Sequence, residues 1–112
     1  MFGRNNRFHG QAGINKVYSS GKTVRGASLT LKYIHKQSDK PFRVAVVVSK
    51  KVHKSAVTRN RIRRRIFAQV RQFDQAIPSG TDLVFTAFNE SIATMPAEKL
   101  ASSISELLKK AS

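Results

Sequence analysis

Apolar positions along the chain change their period several times, and each change marks an element. In GINKVYSS, Ile14, Val17 and Tyr18 recur at i, i+3 and i+4, the spacing of a short amphipathic helix that Gly21 stops. The period drops to two in SLTLKYIHK, where Leu29, Leu31 and Tyr33 alternate with Thr30 and Lys32, as in a half-buried strand. QSDKP is a turn signal. FRVAVVVSKK then reads as a second, mostly buried strand that pairs with the first as a hairpin. Residues 58–73 return to helical spacing: at about 100° per residue, Ile62, Ile66, Val70 and Phe73 share an arc of about 80° facing the core. PSG breaks the chain before DLVFTAF, a third apolar strand. Pro96 fits the first turn of a last helix, in which Leu100, Ile104, Leu107 and Leu108 keep helical spacing. Residues 1–11 are polar and basic and read as extended. The order helix, strands, helix, strand, helix predicts an α+β sandwich with helices against one small sheet.

The 112 residues suffice for one domain, and 40% hydrophobic content supports a buried core. No internal repeat or low-complexity tract stands out, and no second domain is read. The absence of cysteine removes disulfides and thiolate metal sites and suits a reducing cytoplasm. VAVVV is far too short to span a bilayer, and the N-terminus lacks the apolar core of a signal peptide, so the expected location is the cytoplasm. Charge changes the picture more. Lysine and arginine number 21 against 6 acids, a net of +15. The excess is one-sided: residues 1–73 hold 18 basic residues and only Asp39 as an acid, whereas residues 74–112 hold three lysines and five acids. An anionic polymer relieves the self-repulsion of such a field, which makes nucleic acid the leading partner and an anionic membrane surface the second.

Catalysis by side chains has little support. Two-metal phosphodiester hydrolysis needs clustered carboxylates, but Asp39, Asp74, Asp82, Glu90, Glu98 and Glu106 are dispersed. His9, His35 and His53 lack the close spacing of a zinc site, and no glycine-rich phosphate loop leads into a helix. No catalytic residue and no metal ligand is assigned.

Binding has more. Away from its core stripe, the 58–73 helix carries Asn60, Arg61, Arg63, Arg64, Phe67 and Arg71. The arginine fork grips phosphate oxygens bidentately and stays charged at physiological pH. A merely solvated basic face would intersperse glutamates for i,i+4 pairing, and none occurs from Lys40 to Phe73. Phe67 has two readings, contact with another protein segment or stacking on an unpaired base. SKKVHK continues the basic strip through Lys50, Lys51 and Lys54. Ile14 and Tyr18 are either plain core or an apolar wall beside an RNA groove.

FRVAVVVSKKVHKSAVTRNRIRRRI closely resembles the signature of the bacterial ribonuclease P protein family: a strand ending in Ser-Lys-Lys, a spacer, then Ala-Val-x-Arg-Asn-Arg-Ile-Lys/Arg-Arg on a helix. Ser49-Lys50-Lys51, Ala56-Val57 and the run from Arg59 to Arg64 match in order and spacing. INKVYSSGKTVRG resembles the family's first helix, and GTDLVFTAFNESIATMPAEKLASSISELL its last strand and helix.

This resemblance implies an α-β-β-β-α-β-α two-layer α+β sandwich with a small mixed sheet. The arginine helix would form a left-handed crossover between parallel strands, an exception to the usual hand. It implies a single RNA-binding domain over residues 1–112, with 1–11 flexible until RNA is bound. It also implies a protein that binds a catalytic RNA, which removes the 5′ leader of precursor tRNA using magnesium held through RNA. Carried over by position, Arg59, Asn60, Arg61, Arg63 and Arg64 meet the catalytic RNA, and Tyr18, Ser49, Lys50 and Lys51 lie on the leader side. Lys54, Phe67 and Arg71 are additional candidates. Three leader-side positions depart from the family: Ile14 replaces a frequent phenylalanine, and Thr30 and Lys32 replace an apolar residue and an aromatic, shifting leader contact toward electrostatics. Arg65 stands where an apolar residue is common and Phe67 where a basic one is. A general or ribosomal RNA-binding protein would share the charge without needing the Ser-Lys-Lys to Arg-Asn-Arg spacing.

Overall fold

The structure is a computed structural model that describes residues 11–36 and 39–111, with only the backbone of 11–13. Its elements are α1 (Gln11–Ser20), β1 (Lys22–Arg25), β2 (Leu29–His35), β3 (Arg43–Val48), α2 (Ala56–Gln72), β4 (Thr81–Ala87) and α3 (Ala97–Ala111). Short 3-10 turns cover Asp74–Ala76 and Glu90–Ala93. The α-β-β-β-α-β-α order implied by the resemblance is the order observed. The expectation for residues 1–11 lies outside the described residues, apart from Gln11, which opens α1.

One mixed sheet runs in the order β1-β2-β4-β3. β1 and β4 flank β2 antiparallel, and β3 pairs parallel with β4, Val44 opposite Leu83 and Val48 opposite Ala87. The expected hairpin between β2 and β3 is therefore wrong, because β4 lies between them. The short QSDKP link pointed to neighbours in sequence pairing with each other. What decided otherwise is the apolar run of β3, which satisfies its ladder with an equally apolar parallel partner, and such a pair needs a helical crossover. α2 is that crossover. β1 was also missing from the periodicity reading, since KTVR is short and mostly exposed.

Side-chain alternation divides the sheet faces. Leu29, Leu31 and Tyr33 of β2, Val44, Val46 and Val48 of β3, and Leu83, Phe85 and Ala87 of β4 form the main core. Ile62, Ile66 and Val70 of α2 and Leu100, Ile104 and Leu107 of α3 close it. The sheet and these two helices are the two layers of the sandwich. On the opposite face α1 covers only part of the sheet, seating Val17 on Ala45 and Val84 with Ile14, Tyr18, Ile34 and Val47 at the margin.

Gly21 ends α1 where a side chain has no room. Its N–H donates to Val17 O at 2.8 Å, and an added Cβ would collide with that oxygen and meet Tyr33 O at 2.9 Å. At the far end of the same sheet face, buried Asp82 accepts from Arg43 Nε at 2.9 Å and Nη2 at 2.7 Å, and pairs with Lys36 at 2.7 Å. Burial pushes the Asp82 carboxyl up, but hydrogen bonds and charge from Arg43 and Lys36 outweigh it and hold the carboxyl below the ordinary carboxylate range. His35 joins the C-terminus of α3 to the sheet: Nε2 donates to Ala111 O at 3.1 Å, and Nδ1 lies 3.1 Å from Thr81 Oγ1.

Candidate nucleic-acid interface

α2 begins at Ser55, whose side chain accepts from Thr58 N at 3.3 Å, and carries no acid in its first turn. Its positive N-terminus is thus left without a carboxylate of its own. With Ile62, Ile66 and Val70 buried, helical geometry assigns the remaining positions to separate stripes. Val57, Asn60, Arg63, Arg64, Phe67, Ala68 and Arg71 line one continuous face. Asn60 Oδ1 accepts from Arg63 Nη1 at 2.5 Å, which orients that guanidinium along the helix. Thr58 and Arg61 face the other way, lining an open groove with His53 and residues Asn89, Glu90, Ser91, Ala93 and Thr94. Arg63 and Arg61 therefore flank the helix on opposite sides.

Two arginines have structural work. Arg59 donates from Nη1 to His53 O at 3.0 Å and Lys54 O at 2.9 Å. Arg65 donates to the carbonyl oxygens of Ile92 and Met95. Of the five positions carried over for the catalytic RNA, Asn60, Arg61 and Arg64 are exposed and Arg63 half-buried, while Arg59 is half-buried against the loop it holds. Phe67 packs partly against the main core while its side lines the arginine face.

The loop anchored by Arg59 carries the second basic group. Val52 N donates to Ser49 O at 3.1 Å, closing a turn that leaves Ser49, Lys50 and Lys51 exposed at the end of β3; Lys54 is exposed farther along. His53 Nδ1 accepts from Ser55 N at 3.0 Å, and its Nε2 lies 3.8 Å from Glu90 Oε2.

The third part is the sheet face that α1 leaves open. Thr30, Thr86 and Val47 align in one row across β2, β4 and β3, and all are half-buried. Tyr18 bounds this row, its hydroxyl 3.0 Å from Thr86 Oγ1. Lys32 Nζ sits 5.1 Å from the centre of the Tyr18 ring and donates to Tyr18 O at 3.4 Å. The structure thus brings Ile14, Tyr18, Thr30 and Lys32 to one face, with Ser49 to Lys51 at the end of the β3 strand that borders it. The arginine face of α2 lies on the other side of the sheet. The sequence reading missed Thr86 and Phe88. Both were read as ordinary positions of an apolar strand, yet Phe88 is 51% exposed at the end of β4, its N–H donating to Ser28 O at 3.2 Å. Strand alternation beyond Ala87 was the available signal.

Fold and site define a class: a small basic α+β protein that carries arginines on the crossover helix between parallel strands and leaves one sheet face partly open. The sequence profile described as ribonuclease P matches residues 2–112. This chain belongs to the ribonuclease P protein family. It is 35% identical to the ribonuclease P protein component of Pseudanabaena sp. over 99% of this chain and 95% of that one. It is 38% identical to that of Clostridium botulinum over 96% of both. Its fold is similar to the Staphylococcus aureus RNase P protein (TM-score 0.80, 24% identity, 95% and 94% of the two chains covered) and to that of Thermotoga maritima (0.76, 21%, 87% and 89%).

Proposed function

We propose that this chain acts as the protein subunit of ribonuclease P, binding the catalytic RNA and the 5′ leader of precursor tRNA while the RNA cuts the leader to give the mature tRNA 5′ end. The observation that carries this reading is the outward face of α2, where Asn60, Arg63, Arg64 and Arg71 line one surface in a stretch without an acid from Lys40 to Phe73. There the guanidinium groups, with Arg61 on the flank, neutralise phosphates where RNA elements approach each other. Tyr18, Lys32, Thr30 and Ser49 to Lys51, with Ile14 beside them, border the surface offered to the single-stranded leader.

The chemistry is assigned to RNA. Among the described residues no three His, Asp or Glu side chains come together as a metal site, and no side chain of this protein is given a metal-binding role. In this reading magnesium is held by the RNA. The protein's contribution is to lower repulsion between RNA strands and to hold substrate in place. No helix among the described residues is long and apolar enough to cross a membrane, and we place this work in the cytoplasm.

Reconstitution with a bacterial ribonuclease P RNA tests the proposal. At low magnesium the protein restores cleavage of precursor tRNA, and Arg61→Ala with Arg64→Ala weakens assembly. Absence of any stimulation would overturn the subunit role and leave generic RNA binding.

A further inference from the structure

The contact between Lys32 and Tyr18 bears on how the open sheet face reads a strand. A tyrosine beside a single-strand path ordinarily offers its ring to a base, and such stacking tolerates any base while favouring some. Here the ring is already engaged. The Lys32 ammonium lies 5.1 Å from its centre, within cation–π range. The same ammonium donates to Tyr18 O at 3.4 Å, near the C-terminus of α1, where the helix dipole favours a cation. The hydroxyl is held 3.0 Å from Thr86 Oγ1. The ring is therefore fixed at its edge and covered on one face by a charge.

Along the floor, Thr30 and Thr86 add hydroxyls, and Val47 completes the row. Hydroxyls and an ammonium are partners for phosphate and ribose, and none of them stacks on a base. An ammonium is a compact point charge whose two contacts with Tyr18 leave donor capacity for a phosphate oxygen.

We propose that Lys32 is the specificity-determining residue of this cleft: by covering the Tyr18 ring and offering its ammonium to phosphate, it makes contact with the leader depend on the backbone and not on base identity. This rests on the leader-binding role proposed above.

The test uses the full chain assembled with ribonuclease P RNA and two substrates, precursor tRNA with a leader and mature tRNA without one. Leaders carry A, C, G, U or an abasic unit at each position in turn. For the wild type, no base exchange whose effect depends on Tyr18 changes affinity more than about threefold. Lys32→Met weakens binding of the leader-bearing substrate about five- to tenfold at low salt, as expected for one partly exposed charged contact. It lowers the steepness of the salt dependence by about 0.7, one phosphate on a single strand. It also uncovers the ring, so that a base preference appears. Lys32→Arg keeps the wild-type salt dependence, and mature tRNA responds to neither variant. The proposal is overturned if the wild type prefers one base by tenfold or more and Tyr18→Leu removes that preference, or if Lys32→Met leaves the salt dependence unchanged. Those results leave the subunit role intact. A wild-type protein that fails to stimulate cleavage overturns both.

Discussion

Arg65, in the middle of α2, donates from Nη1 to the carbonyl oxygen of Ile92 at 2.6 Å, and its second nitrogen donates to that of Met95. One planar fork thus satisfies two acceptors at the end of the Glu90–Ala93 turn, where the chain bends toward α3. Charge-assisted bonds of this kind are worth more than neutral ones. Arg65→Leu, which removes both donors, is expected to lower unfolding free energy by about 1–3 kcal/mol. The salt dependence of RNA binding stays the same, because this guanidinium faces protein. Urea unfolding alongside a salt titration checks both halves.

Arg61 and Arg64 should behave in the opposite way. Both are exposed, and neither carries a carboxylate partner among the described residues. If about six phosphates of single-stranded RNA are neutralised, log affinity falls with log salt at a slope of about −4. Replacing both arginines with alanine reduces the steepness by about 1.4, two phosphates, and shifts stability by less than about 0.5 kcal/mol. Filter binding across a salt series measures the slope, and a value near zero for the wild type would remove the electrostatic account of α2.

The contrast between these arginines shows what could be read from the chain. Ile62, Ile66 and Val70 were legible as the buried stripe because burial follows a helical period, and the Ser49 to Arg64 spacing was legible as a signature. Which arginine faces solvent and which faces protein was not, since Arg59 and Arg65 are occupied by carbonyls of His53, Lys54, Ile92 and Met95, and main-chain acceptors leave no mark on composition. The pairing of β3 failed for a related reason. Its partner β4 lies beyond a 17-residue helix, and periodicity within a strand carries no information about which distant strand completes the ladder. Lys32 was visible as a departure, whereas its seat over Tyr18 depends on how α1 crosses β2.

Gly21 controls that crossing. Any Cβ there collides with Val17 O and presses on Tyr33 O at 2.9 Å, both main-chain atoms that cannot step aside as a side chain would. Gly21→Ala is expected to cost about 1–3 kcal/mol of stability, the range for forced overpacking. It should weaken leader-bearing substrate more than mature tRNA, because α1 carries Tyr18 over the open face. Thermal unfolding and paired substrate affinities test this, and equal losses on the two substrates would separate α1 from leader contact.

Asp82 gives the fold an acid limit. Its carboxyl is held below the ordinary carboxylate range by Arg43 and Lys36 against the opposing effect of burial, so its charged form is favoured in the folded chain. The resulting stabilisation is fully present above the unfolded value of about 3.9 and disappears as pH falls through the lower folded value. Asp82→Asn keeps the shape but removes the negative charge between Arg43 and Lys36. Both cations are about one third exposed, with 34% and 38% of their side chains open to solvent, and screening there keeps the expected loss at neutral pH to about 1–3 kcal/mol. Urea midpoints measured from pH 7 to pH 2 should show wild type and variant well separated at the upper end and converging as pH falls below the ordinary carboxylate range. Parallel curves across the whole range would mean that the aspartate contributes through shape alone.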